Sequence, residues 1–137
     1  MKQVFIDTNG WIALNSKRDH LHNIALDLNK RLLHSGYCYV TTNFVLDETY
    51  TGLLTQVGHL AAVDFGERIY RSQIIQVIHI AEHIEEQAWK LFKQYSDKDF
   101  SFTDCTSFVV MHQLNLVEAF TSDHHFEQMG FVTLLRI

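Results

Sequence analysis

The sequence predicts an α/β protein built on a parallel sheet with helices on both faces. Three observations carry that prediction. Short β-branched or aromatic runs alternate with helical segments of roughly 10–15 residues. The 137 residues include no proline and only six scattered glycines, so nothing marks a linker, a repeat or a low-complexity tract. A composition of 47% hydrophobic and 20% charged residues belongs to a chain that folds around a core. One domain over residues 1–137 is the economical reading.

The elements follow in order. Residues 3–6 are a β-branched and aromatic run that reads as a buried strand. A helical stretch follows over 10–14, and then a clearer helix over 19–34. In the latter, Leu21, Ile24, Ala25, Leu28 and Leu32 recur at three- and four-residue steps, and Ser35-Gly36 stops it. Residues 37–41 are strand-like, and 43–56 are helical with Thr42 or Asn43 as the cap. Another helix spans 59–70, and the run IIQVIHI over 74–80 is the clearest strand. Helices over 81–95 and 103–114 and short strands over 118–122 and 131–135 complete the chain.

Composition excludes several function classes. The net charge of −5 is not that of a basic nucleic-acid coat, although a local field can oppose the net charge. No apolar run approaches the roughly 18–20 residues that cross a bilayer. The start, with an acid at Asp7, lacks the apolar region and cleavage site of a secretory signal. Cys38 and Cys105 stand at no metal-ligand spacing and read as thiols in a reducing cytoplasm. No glycine-rich phosphate loop and no G-x-S-x-G elbow is present.

In a parallel α/β sheet, ligands bind beyond the carboxyl ends of the strands where the strand order reverses. Four acids fall there. Asp7 follows the first strand and Asp123 the fourth; Asp104 opens the helix leading into the fourth; Glu48 shares a helix face with Phe44 and Val45. Each alone has a structural explanation: a turn at Asp7, a capping box for Ser101 with Asp104, a cap at Asp123, a solvated helix position for Glu48. Together at one end of a sheet they repel one another by several kcal/mol at an effective dielectric of about 20, so a cation is expected among them. Oxygen ligands suit Mg²⁺ or Mn²⁺, and such an ion can activate water against a phosphodiester.

Four motifs carry a resemblance: Phe5-Ile6-Asp7-Thr8-Asn9; Thr42-x-x-Val45-x-x-Glu48; Ser101-Phe102-Thr103-Asp104-Cys105; and Thr121-x-Asp123-x-His125-Phe126. In this order, and over essentially the whole chain, the sequence resembles the PIN-domain family, in particular VapC-type toxin ribonucleases. The resemblance implies a three-layer, Rossmann-like α/β/α sandwich with five parallel strands. It implies a metal-dependent endoribonuclease whose acids are Asp7, Glu48, Asp104 and Asp123, with Asn9, Thr103 and Thr121 as supporting polar residues. It also implies an RNA substrate, a small antitoxin partner and a homodimer. Asp47 competes with Glu48 for the second acidic role. Thr106 and Ser107 stand where some relatives carry a further acid, which weakens a second metal site.

Other patterns carry less. His79-Ile80-Ala81-Glu82-His83 matches a zinc pattern but straddles a strand end and a helix start, so its imidazoles would not share a face. Asp123-His124-His125 is like a DHH phosphoesterase signature without that family's other acids. Lys17-Arg18, Lys30-Arg31, Arg68 with Arg71 and Lys90 with Lys93 are possible phosphate contacts or simply solvated pairs. Leu53-Leu54 or Leu60-Ala61-Ala62 could serve a dimer or the core. Two alternatives remain to a toxin ribonuclease: a related nuclease on DNA flaps or ribosomal RNA precursors, and a non-catalytic protein-binding module.

Overall fold

The computed structural model describes residues 2–137. Five strands, β1 (Lys2–Ile6), β2 (Tyr37–Thr42), β3 (Ile75–Ile78), β4 (Glu118–Phe120) and β5 (Val132–Thr133), form one sheet in the order β3-β2-β1-β4-β5. Every pairing is parallel. Between them run α1 (Thr8–Asn15), α2 (His22–His34), α3 (Asn43–Gln56), α4 (His59–Arg71), α5 (Glu82–Gln94), α6 (Phe102–Gln113) and α7 (His124–Gln128). The predicted fold class is borne out.

Topology fixes the layers. Parallel crossovers are right-handed, so α1 to α4, which serve two successive steps in one direction, cover one face. The chain then returns past β1, which puts α5 to α7 on the other. The strands alternate accordingly. Val4, paired with Tyr39, and Ile6, paired with Phe120, belong to the first face. There the Tyr39 ring meets Trp11 of α1 and Phe120, and Trp11 meets Phe65 of α4. Phe5, paired with Val40 and Ala119, faces Phe126 of α7, whose ring lies 5.0 Å from that of Phe108 on α6. Phe5, Phe108, Phe120 and Phe126 are fully buried, each worth about 1.5–3 kcal/mol of burial.

Several predicted boundaries move, each for a local reason. Helix α1 starts at Thr8 rather than residue 10, because Asp7 is its N-cap. Helix α2 starts at His22 rather than residue 19, since the Asp19 side chain accepts from the Leu21 amide and holds a turn. The strand predicted over 74–80 shrinks to four residues at the sheet edge; the Ile80 amide is taken by Asn43 Oδ1 at 2.7 Å. Strand β4 ends at Phe120, where Thr121 and Ser122 turn toward Asn9. Helix α7 appears as an element where only a capping role for Asp123 was foreseen.

The order of winding reverses between β1 and β4. Helix α1 therefore crosses directly beside the carboxyl end of β4, and Gly10 makes that approach possible. A Cβ at Gly10 would lie 2.3 Å from the Phe120 carbonyl oxygen and 2.7 Å from its ring.

Candidate active site

The four acids come from four different elements and converge on one cleft of about 450 Å³ at the carboxyl edge of the sheet. Its walls hold Asp7, Glu48, Asp104 and Asp123, and also Asp19 and Asp99. No lysine or arginine is among the described residues that line it.

Asp7 sits at the end of β1 with 5% of its surface exposed. It occupies the N-cap of α1 without a side-chain capping bond, and its Oδ2 accepts a long bond, 3.4 Å, from the Thr121 hydroxyl. Burial, followed by repulsion from Asp104, pushes its carboxyl up to about 8. Asp104 is held by a reciprocal capping box: its Oδ2 accepts from the Ser101 amide at 3.1 Å, and its own amide donates to Ser101 Oγ at 3.0 Å. Burial raises its pKa too, while the Ser101 amide and His125 oppose the rise.

Glu48, on α3, is solvent-facing at the mouth of the cleft. The Thr8 hydroxyl donates to Glu48 Oε1 at 3.0 Å, with the Val45 carbonyl as its other acceptor at 3.3 Å. Desolvation raises the Glu48 pKa, and the hydroxyls of Thr8 and Thr103 counter it. Asp47 is exposed and does not line the cleft, so Glu48 is the acid of this pair that faces the others. Asp123 caps α7, accepting from the His125 amide at 3.0 Å.

The supporting residues do different work. Asn9 Oδ1 accepts from the Ser122 amide at 2.7 Å and its hydroxyl at 3.1 Å, which ties the first turn of α1 to the segment after β4. Thr121 Oγ1 accepts from the Asp123 amide at 3.1 Å and stands 3.3 Å from Asn9 Oδ1. Thr103 does not line the cleft; it touches the site only through Glu48. Thr106 and Ser107 are buried in α6 away from the cleft.

The capping box read from the sequence for Ser101 and Asp104 is present, whereas Thr8, Asp19 and Asp99 were missed as contributors and a further one, His125, was left without a role. Its Nδ1 lies 3.2 Å from Asp104 Oδ2 and 3.4 Å from Asp123 Oδ1, so one imidazole bridges two of the acids. Its signal was present in Asp123-x-His125, where a cap and a side chain two residues later meet. Thr8 was legible as the neighbour of Asp7, and Ser101 as half of a capping box. Asp19 and Asp99 lie in connections whose path no periodicity gives. Asp123, His124 and His125 offer ligand atoms within 4.8 Å of one another, a grouping set aside at the sequence level as a likeness to another family. His79, Glu82 and His83 form no such grouping among the described residues.

The donor set fits a hard divalent cation. The cleft gathers carboxylate oxygens, no lysine or arginine among the described residues lines it, and the most buried carboxyl accepts a long bond from Thr121. Carboxylates so placed stay neutral or take up a metal.

An α/β sheet with an acidic cleft at its switch point fits a nuclease. Comparison with known proteins gives the family. The PIN-domain model matches residues 4–132, and the chain belongs to the PIN-domain family. It is 38% identical over 130 residues to the 23S rRNA-specific endonuclease VapC20 of Mycobacterium tuberculosis, covering 94% of this chain and 95% of that one. It is 32% identical over 114 residues to a VapC ribonuclease of Archaeoglobus fulgidus, covering 81% and 71%. The crystal structure of M. tuberculosis VapC20, described as a sarcin-ricin loop cleaving toxin, superposes with a TM-score of 0.87 at 36% identity over 97% of this chain and 99% of that chain. VapBC2 of Rickettsia felis bound to a promoter DNA fragment shares the fold at 12% identity, with a TM-score of 0.68 over 96% and 97%.

Proposed function

We propose that this chain is a VapC-type endoribonuclease, dependent on Mg²⁺ or Mn²⁺, that cleaves the sarcin-ricin loop of 23S ribosomal RNA as the toxin of a toxin–antitoxin pair. The observation that carries the reading is the convergence of Asp7, Glu48, Asp104 and Asp123, from four separate elements, on a cleft that no lysine or arginine among the described residues lines. The likeness to VapC20 over nearly the whole chain supports the substrate.

In this reading Asp7, Asp104 and Asp123 hold the ion, with Glu48 beside them. The ion supplies a Lewis acid that lowers the pKa of water and stabilises charge on the phosphodiester. The chain's own residues set the geometry. Ser101 fixes Asp104, Thr121 and the start of α7 fix Asp123, and Thr8 holds Glu48, whose carboxylate would accept a proton from attacking water. Asn9 keeps the β1 and β4 ends in register. Ribosomal RNA as substrate places the protein in the cytoplasm. A small antitoxin and a second copy are its proposed partners; exposed apolar residues such as Leu54 and Leu60 offer surface for either.

The test is incubation with a sarcin-ricin RNA hairpin in Mg²⁺ or Mn²⁺, beside a chelator control and Asp104→Asn. A single cut that needs both the ion and Asp104 is expected. Cutting of other RNAs but not this loop would remove the substrate assignment. Absence of cutting together with absence of metal binding by calorimetry would favour a non-catalytic module.

Two further results are expected. Thr8→Val, which keeps the shape but frees Glu48, should lower kcat about tenfold with little change in metal affinity; an unchanged kcat would show that Thr8 does not position the acid. His125→Ala should weaken metal binding about 10–100-fold, and titration calorimetry should show His125→Asn recovering part of the loss, since an amide N–H can replace Nδ1–H.

A further inference from the structure

Four aromatic rings run outward from the mouth of the acidic cleft. Phe44 on α3 stands four residues before Glu48, one helical turn away on the same face. Phe102 opens α6, beside Ser101 and two residues before Asp104. Their ring centroids are 6.3 Å apart. Phe102 meets Phe92 of α5 edge-to-face at 6.1 Å, and Phe92 stacks on Trp89 at 5.8 Å. The row begins beside two of the four acids and ends in solvent, where Trp89 is 52% and Phe92 42% exposed.

Lys90 and Lys93 adjoin these last two rings, both exposed, and neither is within ion-pair distance of an acid among the described residues. Glu85 and Glu86 stand one helical turn before Trp89 and Lys90, and Glu82 opens α5. Half-exposed aromatics interleaved with lysines are what a single-stranded nucleic acid uses: every base has a face that stacks on a ring, and the phosphates between bases meet the ammonium groups.

Resting on the ribonuclease reading, we infer that Phe92 and Trp89 form a stacking platform for unpaired RNA bases flanking the cleaved phosphodiester, with Lys90 and Lys93 holding the adjoining phosphates. Phe44 and Phe102, packed against the core, back the platform on its cleft side. Phe92 and Trp89 take bases further along the strand.

The chain has two tryptophans, Trp11 and Trp89, and Trp11 is buried, so emission on binding reports Trp89. The probe is a sarcin-ricin hairpin in chelator, where without a divalent ion it stays intact. It should quench wild-type fluorescence, and Trp89→Phe should lose the quench while binding with near-wild-type affinity. Trp89→Ala and Phe92→Ala should each raise KM for the cleavable hairpin about tenfold at unchanged kcat, the effect of losing one stacked base. Circular dichroism confirms that the variants fold. Unchanged KM in both variants, with the wild type cutting normally, would overturn the platform alone. So would a wild-type dimer that becomes a monomer in Trp89→Ala, which would assign the face to a second copy. A wild type that neither cuts nor binds RNA would remove the ribonuclease reading and the platform with it.

Discussion

Asp7→Asn is expected to lower metal-dependent RNA cleavage by at least about 100-fold while leaving the protein folded and, without metal, more stable than the wild type at pH 8. Asparagine keeps the shape of the side chain and removes its charge. The activity loss should exceed what removal of a mere supporting residue costs. The stability gain follows from burial. With its carboxyl at about 8 when folded against 3.8 when free, Asp7 binds a proton in the native state that the unfolded chain has released. Native stability from this group is complete below about pH 4 and is lost as the pH climbs through about 8, by on the order of 5 kcal/mol. Asp104 and Glu48, both raised, add slope of the same sign. Urea midpoints in chelator at pH 5 and pH 8 should therefore fall for the wild type and fall much less for Asp7→Asn. Added Mg²⁺ or Mn²⁺ should stabilise the wild type most at pH 8, where the acids are ready to ionise. Equal pH slopes for the two proteins would mean that Asp7 is not the strained acid of the cluster.

Gly10→Ala should be the most damaging single-methyl substitution in the chain. The added carbon would meet the Phe120 carbonyl oxygen at 2.3 Å and the Phe120 ring at 2.7 Å. A backbone oxygen in a sheet cannot step aside, and the ring is fully buried. Relief requires α1 to lift from the sheet, which moves Asp7 and Asn9 with it. Overpacking of this kind costs about 1–3 kcal/mol and more when backbone is in the way. Thermal unfolding should show a drop in Tm of at least about 5 °C, with weakened metal binding in whatever folds. A variant with wild-type Tm would mean that α1 does not sit as close to β4 as described.

Much of the fold was legible because parallel sheets leave a strong alternation of period. The four acids were legible for a related reason: Asp7 and Asp123 follow strands that the periodicity located, and Glu48 and Asp104 lie within helices that it located. The detail that failed lies where a side chain overrides the local pattern. The apolar run at 74–80 looked like the strongest strand, but Asn43 takes the Ile80 amide and the edge position leaves Gln76 and Val77 in water. Asp19 looked like the start of a helix and instead holds a turn, which carries it to the rim of the cleft. His125 was visible as a letter in a motif, but its bridging of Asp104 and Asp123 depends on a short helix that only the packing of Phe126 against Phe108 and Phe5 fixes.

The bond between Asn9 and the Ser122 amide joins residues 113 positions apart. Local contacts form first in folding, and pairings this distant close late because so much chain must be ordered beforehand. On the ribosome, residues 1–100 can begin to organise β1, β2 and their helices, but Asp123 and the strand that positions it are then still in the exit tunnel or unmade. The cleft is therefore assembled only at the end of synthesis. For a chain proposed to cut the RNA of the machine that makes it, the topology builds in a delay between the first residues and the first possible cut.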